Sequence, residues 1–379
     1  SPSICSESSE ISDSHRSTDV NTQQDKSVPK LVFIGGSNPS FRLRDTLKSV
    51  EILGEGTLGT TVLAEIMHDT KVVLKILNEV RATEDEFKVQ MKVFGRFRHG
   101  NVAAPRAYYF SDKPNGKFIV YDYYKQGSLF DMLHGKEGYA ANWESRLKSA
   151  FGAAMGIAHI HKVLGWELGH GNIKSSNIYL NSQQYGCVSD FGLPRVTVKS
   201  SYPGPSRHHA REYEFKPASQ ETDVYSFGYV LLELLTGKSP AEARGFEQDM
   251  GLDTWARSIK PEQWMSKLFD KSLKKQIRYE KDVLEMMEVE VPDVYHSVVK
   301  DSVTINWEEM RAILGSRFRS MGRRVPADYF AVRDLLGMRE MLKVAMRCLA
   351  VLPRDRPKMC DVVLMLQSII REAETGSKQ

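Results

Sequence analysis

The sequence predicts a two-lobed α+β fold: a β-rich amino-terminal lobe with one main helix, then a mostly helical carboxy-terminal lobe that carries an insertion. Three observations lead there. Residues 30–124 hold short apolar runs punctuated by glycine turns. After the Gly127–Leu129 turn the apolar spacing becomes helical. The 379 residues, 41% of them hydrophobic, supply one large domain or two with ample core.

The elements follow in order. Residues 1–29 are rich in Ser, Thr, Asp and Glu and read as a disordered arm, and residues 373–379 as a disordered tail. Order is expected from Lys30–Gly36 (KLVFIGG), a short strand ending in a Gly-Gly turn. Ser49–Ile66 reads as strand, glycine turn and strand, and Lys71–Leu77 as a strand with a lysine inside it. A charged helix is expected from about Thr83 to Phe97, then strands at Val102–Phe110 and Lys117–Tyr124. Asn142 can cap a helix in which Trp143, Leu147, Phe151, Ala154, Ala158 and His161 recur at helical spacing. Asp223–Gly237 is apolar on most sides, as a buried helix is. The last helices are expected at Arg339–Val351 and Lys358–Glu372. The lobes are therefore placed at 30–124 and 125–372, with the insertion at about 277–337.

Composition narrows the function. A net charge of +4 is too weak to imply a nucleic-acid partner. Cys5, Cys187, Cys348 and Cys360 lie far apart, without metal-ligand or disulfide spacing, which suits a reducing cytosolic compartment. No run approaches the ~20 apolar residues of a membrane span. The chain starts at Ser1 rather than Met and is expected to be part of something longer.

Three stretches carry chemistry. Gly54, Gly56 and Gly59 sit between two strands, which disfavours a dinucleotide site, since that needs a helix after the glycines. Glycines there let backbone N–H groups approach phosphate oxygens. Lys75 lies inside an apolar strand, where an ammonium is costly to bury unless it meets an anion. His170–Asn177 (HGNIKSSN) followed by Asp190–Gly192 (DFG) has the spacing of a phosphoryl-transfer centre. Asn177 supplies an amide and Asp190 a carboxylate for metal, but Asn172 stands where a proton-accepting carboxylate belongs.

The order of these parts resembles the protein-kinase set. More narrowly, KLVFIGG, HGNIKSSN, SDFGLPR and DVYSFGYVLLELLTGKSP resemble the cytoplasmic part of plant leucine-rich-repeat receptor-like kinases, in the branch whose members are often inactive. The resemblance implies a kinase-like domain over residues 30–372. It assigns Gly54, Gly56 and Gly59 to the phosphates, Lys75 to the α/β-phosphates, Lys174 and Asn177 to the catalytic loop and Asp190 to metal. His170 and Phe191 match apolar spine positions, Asp223 the aspartate that holds the loop backbone, and Glu212 with Arg356 a buried ion pair. Leu180 matches the floor of the adenine pocket, Asp122 and Tyr124 the hinge contacts, and Tyr121 the gatekeeper, its hydroxyl within reach of Gln90.

The departures fall on the chemistry. Asn172 replaces the catalytic Asp, and loss of such a group typically costs ~10²–10⁴ in rate. Gly171 replaces the phosphate-reading Arg, Gln90 the glutamate that pairs with Lys75, and Arg211 the Pro before Glu212. Thr61 and Val73 form the adenine ceiling in place of the family's Val and Ala. The extra methyls of Val73 overpack a tight site by about 1–3 kcal/mol, roughly five- to a hundred-fold in ATP affinity.

The expectation is a catalytically impaired receptor-like pseudokinase, a scaffold or allosteric partner of active receptor-like kinases or other signalling proteins. Its place is the cytoplasmic face of the plasma membrane, tethered by a segment upstream of this chain. ATP and magnesium bind weakly at best and the fold requires neither. The alternatives are a weakly active serine/threonine kinase or an ATP-binding switch without turnover. Thr197, Ser200, Ser201 and Ser206 are exposed candidates for phosphorylation. In the insertion, Tyr279–Asp293 is acidic and Arg311–Arg324 holds five arginines and no acid. Asn306 and Glu309 form a capping box for a helix whose Trp307, Met310, Leu314 and Phe318 make one apolar stripe. A basic amphipathic helix over 307–324 suits an anionic lipid surface or calmodulin; its plainer reading is a helix packed on the carboxy-terminal lobe.

Overall fold

The structure is a computed structural model. It describes residues 31–34, 49–66, 70–113, 116–135, 141–165, 168–197, 210, 212, 218–239, 251–260, 263–276, 316, 319–320 and 329–375.

Period-2 patterning in the amino-terminal lobe builds a six-stranded antiparallel sheet. Its strands are β1 (Val32–Phe33), β2 (Ser49–Gly56), β3 (Gly59–Ile66), β4 (Thr70–Leu77), β5 (Ala107–Phe110) and β6 (Lys117–Asp122), in the spatial order β1-β5-β6-β4-β3-β2. One face buries Val62, Ala64, Leu74, Ala107, Phe118 and Val120. The other carries Val73, Leu77, Ile119 and Tyr121 against Phe87, Met91 and Phe94 of helix α1 (Glu84–Phe94). Alternation along β4 puts Lys75 on this second face, between Val73 and Leu77. Thr83 and Glu86 close a capping box on α1, and Gly95 ends it.

The carboxy-terminal lobe comprises α2 (Leu129–His134), α3 (Trp143–Leu164), β7 (Ile178–Leu180), β8 (Gly186–Val188), α4 (Gln220–Thr236), α5 (Leu252–Ser258), α6 (Lys271–Gln276), α7 (Tyr329–Cys348) and α8 (Met359–Thr375). Asn142 caps α3, its Oδ1 accepting from the Ser145 N–H at 2.8 Å. α4 buries nearly all its side chains at the centre of a core shared with α3, α7 and α8.

Several boundaries differ from the sequence reading, each for a local reason. β5 starts at Ala107 rather than Val102, because Pro105 has no N–H for a ladder and Val102 makes only a single bridge to Val188. α7 starts at Tyr329 rather than Arg339, since Leu335, Leu336 and Met338 extend the buried stripe of Met341, Leu342 and Ala345. α8 continues through Thr375 into the stretch read as a tail, meeting no helix breaker before Gly376. The 1–29 arm and most of the insertion lie outside the described residues. Of the 307–324 stretch only Ser316, Arg319 and Ser320 are described, helical and exposed.

Candidate functional site

The cleft lies between the α1 face of the sheet and the 170–177 loop with β7 and β8. The glycine turn forms its lip. A two-residue turn, Thr57-Leu58, joins β2 to β3, and the Asn78 N–H donates to the Leu58 carbonyl at 3.1 Å, tying the turn to the end of β4. Gly59 (φ 153°) has a structural reason to be glycine: a Cβ there would meet the Ile76 carbonyl oxygen at 2.0 Å. Gly54 and Gly56 are exposed and have no such neighbour.

Lys75 is engaged inside the protein. Its Nζ lies 3.1 Å from Asp190 Oδ2 and donates to Thr61 Oγ1 at 3.1 Å. Gln90, half-buried on α1, is not among its described partners. The buried Tyr121 phenol lies beside Asp190; burial, followed by the Asp190 charge, pushes it well above the ordinary range. The Asp190 carboxylate therefore meets an ammonium and a phenol at once. Lys174 is half-buried beside them, its ammonium pushed down by burial and by the Lys75 charge, with Asp190 opposing.

The floor is made by a residue other than the expected one. β7 alternates, so Ile178 and Leu180 enter the carboxy-terminal core while Tyr179 turns into the cleft. Leu180 is buried in that core and does not line the cleft. Tyr179 stacks on Tyr124 with ring centroids 5.6 Å apart. Burial raises both phenols. Thr61, Val73, Lys75, Tyr121, Tyr124 and Tyr179 are among the side chains that leave an open volume of about 10 Å³. That is about the least space that holds one water, against the ~300 Å³ of small ligand sites. This inner pocket does not take an adenine ring in this arrangement. Asp122 turns outward, where its carboxylate takes a bidentate pair from Arg106 at 2.6–3.0 Å.

Around this filled cleft the loop is held firmly. Asp223 accepts from the backbone N–H of His170 at 2.5 Å and of Gly171 at 2.9 Å, and lies 2.8 Å from His161 Nε2. Burial alone would raise its carboxyl, but the His161 bond and charge outweigh that and hold it low. The Asn172 N–H donates to His170 Nδ1 at 3.1 Å, and Asn177 Nδ2 donates to the Asn172 carbonyl at 3.0 Å. The half-buried side chain of Asn172 has an amide where proton transfer needs a base. Phe191 packs between Phe94 and Phe97, at 4.7 and 4.4 Å, with His170 at 6.2 Å.

The segment after DFG folds back rather than standing free. The Arg81 N–H donates to the Val196 carbonyl at 3.2 Å, and Val80 bridges Thr197. Thr197, expected to be exposed, is buried and its hydroxyl donates to the Leu193 carbonyl at 3.2 Å. Ser200, Ser201 and Ser206 lie outside the described residues. Arg356 forms an ion pair with Glu212 and stacks on Tyr225. Among the described residues no group of three or more His, Cys, Asp or Glu could hold a metal ion, and no helix is long and apolar enough to cross a membrane.

Comparison with known proteins places these features. The family model for protein tyrosine and serine/threonine kinases matches residues 47–288. A receptor-like protein kinase of Arabidopsis thaliana, whose name carries the qualifier inactive, is 41% identical over 302 residues, covering 70% of this chain and 82% of that protein. An Arabidopsis thaliana inactive leucine-rich repeat receptor-like serine/threonine-protein kinase is 39% identical over 293 residues, covering 74% of this chain. The chain spans 46% of that protein, and less than half of most of the curated relatives it matches. In structure, the pseudokinase domain of BIR2, an immune regulator of the RLK/Pelle family, superposes with a TM-score of 0.65 at 20% identity, covering 91% of each chain. The maize SIRK1 kinase domain bound to AMP-PNP does so at 0.64 and 23%, covering 90% of this chain and 100% of that one. At those identities the likeness shows the fold. The chain belongs to the protein tyrosine and serine/threonine kinase family, in its receptor-like branch.

Proposed function

We propose that this domain is a receptor-like pseudokinase, a kinase-shaped scaffold or allosteric partner that neither turns over ATP nor holds it in the arrangement described. The observation that carries this is the inner pocket of the cleft, where Tyr121, Tyr124, Tyr179 and Val73 leave about 10 Å³, with Lys75 and Asp190 paired to each other. Asn172 supports it independently, since an amide cannot accept the acceptor hydroxyl's proton. The relatives named as inactive receptor kinases support the same reading.

The retained parts serve shape. Asp223, Phe191, His170 and the Glu212–Arg356 pair hold loop, helix α1 and lobe in register without needing a nucleotide. A frame so preserved suits a partner that recognises the overall shape of a kinase. Active receptor-like kinases at the cytoplasmic face of a membrane are the partners proposed, with the tether supplied by chain outside this sequence.

Incubation with γ-labelled ATP and magnesium or manganese tests the reading. No transfer above the level of Lys75→Ala is expected. Turnover well above background and abolished by Lys75→Ala refutes it in favour of a weak kinase. A melting temperature raised by Mg-ATP without turnover replaces the scaffold with a nucleotide switch.

A further inference from the structure

Helix α1 buries one side and leaves the other to solvent. Phe87, Met91 and Phe94 enter the core of the amino-terminal lobe. On the opposite side Glu84, Asp85, Lys88, Val89 and Lys92 are exposed, and Arg96 continues the row just past the helix end. Val89 is 57% exposed, an apolar side chain standing between the acidic first turn and Lys92.

Charge is segregated along this row. The carboxylates Glu84 and Asp85 stand in the first turn, and the cations Lys88, Lys92 and Arg96 follow at every fourth position, along one side. That order suits the helix macrodipole, which does not account for an exposed valine among the charges. Glu84 and Lys88, four residues apart, are not ion-paired to each other. A helix patterned this way complements a copy of itself running the opposite way. With a twofold axis crossing near Val89, Asp85 of each copy faces Lys92 of the other, and Glu84 faces Arg96. The two Val89 side chains then meet at the axis and leave water.

We propose that the exposed side of α1 is a self-association surface, on which a second copy of this chain docks antiparallel about Val89. The helix has 11 residues and is about 16 Å long, so the contact is small, that of a transient dimer rather than an obligate one. Because Phe94 packs against Phe191, the pairing braces the helix that frames the cleft. The surface is independent of nucleotide and of any conclusion about turnover.

Sedimentation equilibrium on the full chain, from about 1 to 500 µM, tests the assignment. A monomer–dimer equilibrium weakened by added salt is expected. Lys88→Glu/Lys92→Glu makes the row almost wholly acidic, and Glu84→Lys/Asp85→Lys makes it wholly basic. Each variant is expected to raise the dimer Kd at least tenfold, and their equimolar mixture to recover association, since opposite faces then meet. All four positions are exposed and outside the Thr83–Glu86 capping box, so the fold is left intact, as circular dichroism melts check. A monomer across the whole range overturns the proposal. So do charge variants that dimerise as the wild type does, or a mixture that stays monomeric.

Discussion

If tyrosine rings and a valine exclude nucleotide, removing them should admit it. The double variant Val73→Ala/Tyr179→Leu is the informative perturbation, because it clears ceiling and floor and leaves Lys75, Asn177 and Asp190 in place. Val73 is 4% exposed, so losing two methyls costs about 1.6 kcal/mol of stability before any cavity term. Loss of the Tyr124–Tyr179 stack adds about 0.5–1.5 kcal/mol. Together, about 2–3 kcal/mol should appear as a lower urea midpoint. Both side chains line one cleft, so the two effects need not add. Against this, relief of overpacking at Val73 alone corresponds to roughly a five- to hundred-fold gain in ATP affinity. Differential scanning fluorimetry with and without Mg-ATP reads that gain, since ligand at 100 times its Kd stabilises by about 2.7 kcal/mol. A folded double variant whose melting temperature ignores Mg-ATP would sink the steric argument. The Lys75–Asp190–Tyr121 arrangement, rather than bulk, would then be the barrier.

Tyr121→Phe removes a buried hydroxyl from beside the Asp190 carboxylate and should cost about 1–3 kcal/mol by denaturant unfolding; an unchanged midpoint contradicts a stabilising contact between them. Arg356→Ala strands Glu212 in the lobe and should destabilise by about 3–5 kcal/mol, with Arg356→Lys recovering only part. Gly95→Ala places a Cβ 1.8 Å from Ile34 Cγ2, so it should destabilise the wild-type chain by about 1–3 kcal/mol yet cost far less in an Ile34→Ala background. A double-mutant cycle with no coupling refutes that contact. Burial pushes the Glu340 carboxyl up from 4.5 to about 8, so between those values the folded chain holds a proton that the unfolded chain has released. Stability from this group is therefore present below about pH 4.5 and lost as pH rises to about 8, and Glu340→Gln should flatten that slope in pH-dependent melts.

The parts of the site that were legible in sequence are those whose role depends on order along the chain. Lys75 within an apolar strand and Asn172 at its offset from Asn177 follow from pattern and spacing, and the Glu212–Arg356 pair from the family resemblance. Gln90 was placed opposite Lys75 by the family resemblance, yet Lys75 reaches Asp190, because pairing inside a cleft depends on how closely the lobes approach. No one-dimensional pattern encodes that. Tyr179 was legible in principle. The run Ile178-Tyr179-Leu180 is a short strand, and alternation alone turns its central residue away from the aliphatic pair; the family pattern pointed to Leu180 instead. The early start of α7 was also written in its apolar stripe, but the charged Arg333–Asp334 pair masks it.

The short strand β1 bears on where the folded unit starts. The region shared with the wider family begins at residue 47, yet Val32 and Phe33 pair with Tyr108 and Ala107 and Ile34 fills the notch left by Gly95 at the end of α1. Trimming the chain to the family boundary would uncover the backbone of β5 as a new sheet edge, the kind of surface on which chains associate. It would also leave an apolar hole beside the helix that carries Gln90. A preparation truncated at residue 47 would thus report the behaviour of a damaged lobe, and its aggregation or weak partner binding would say little about the intact protein.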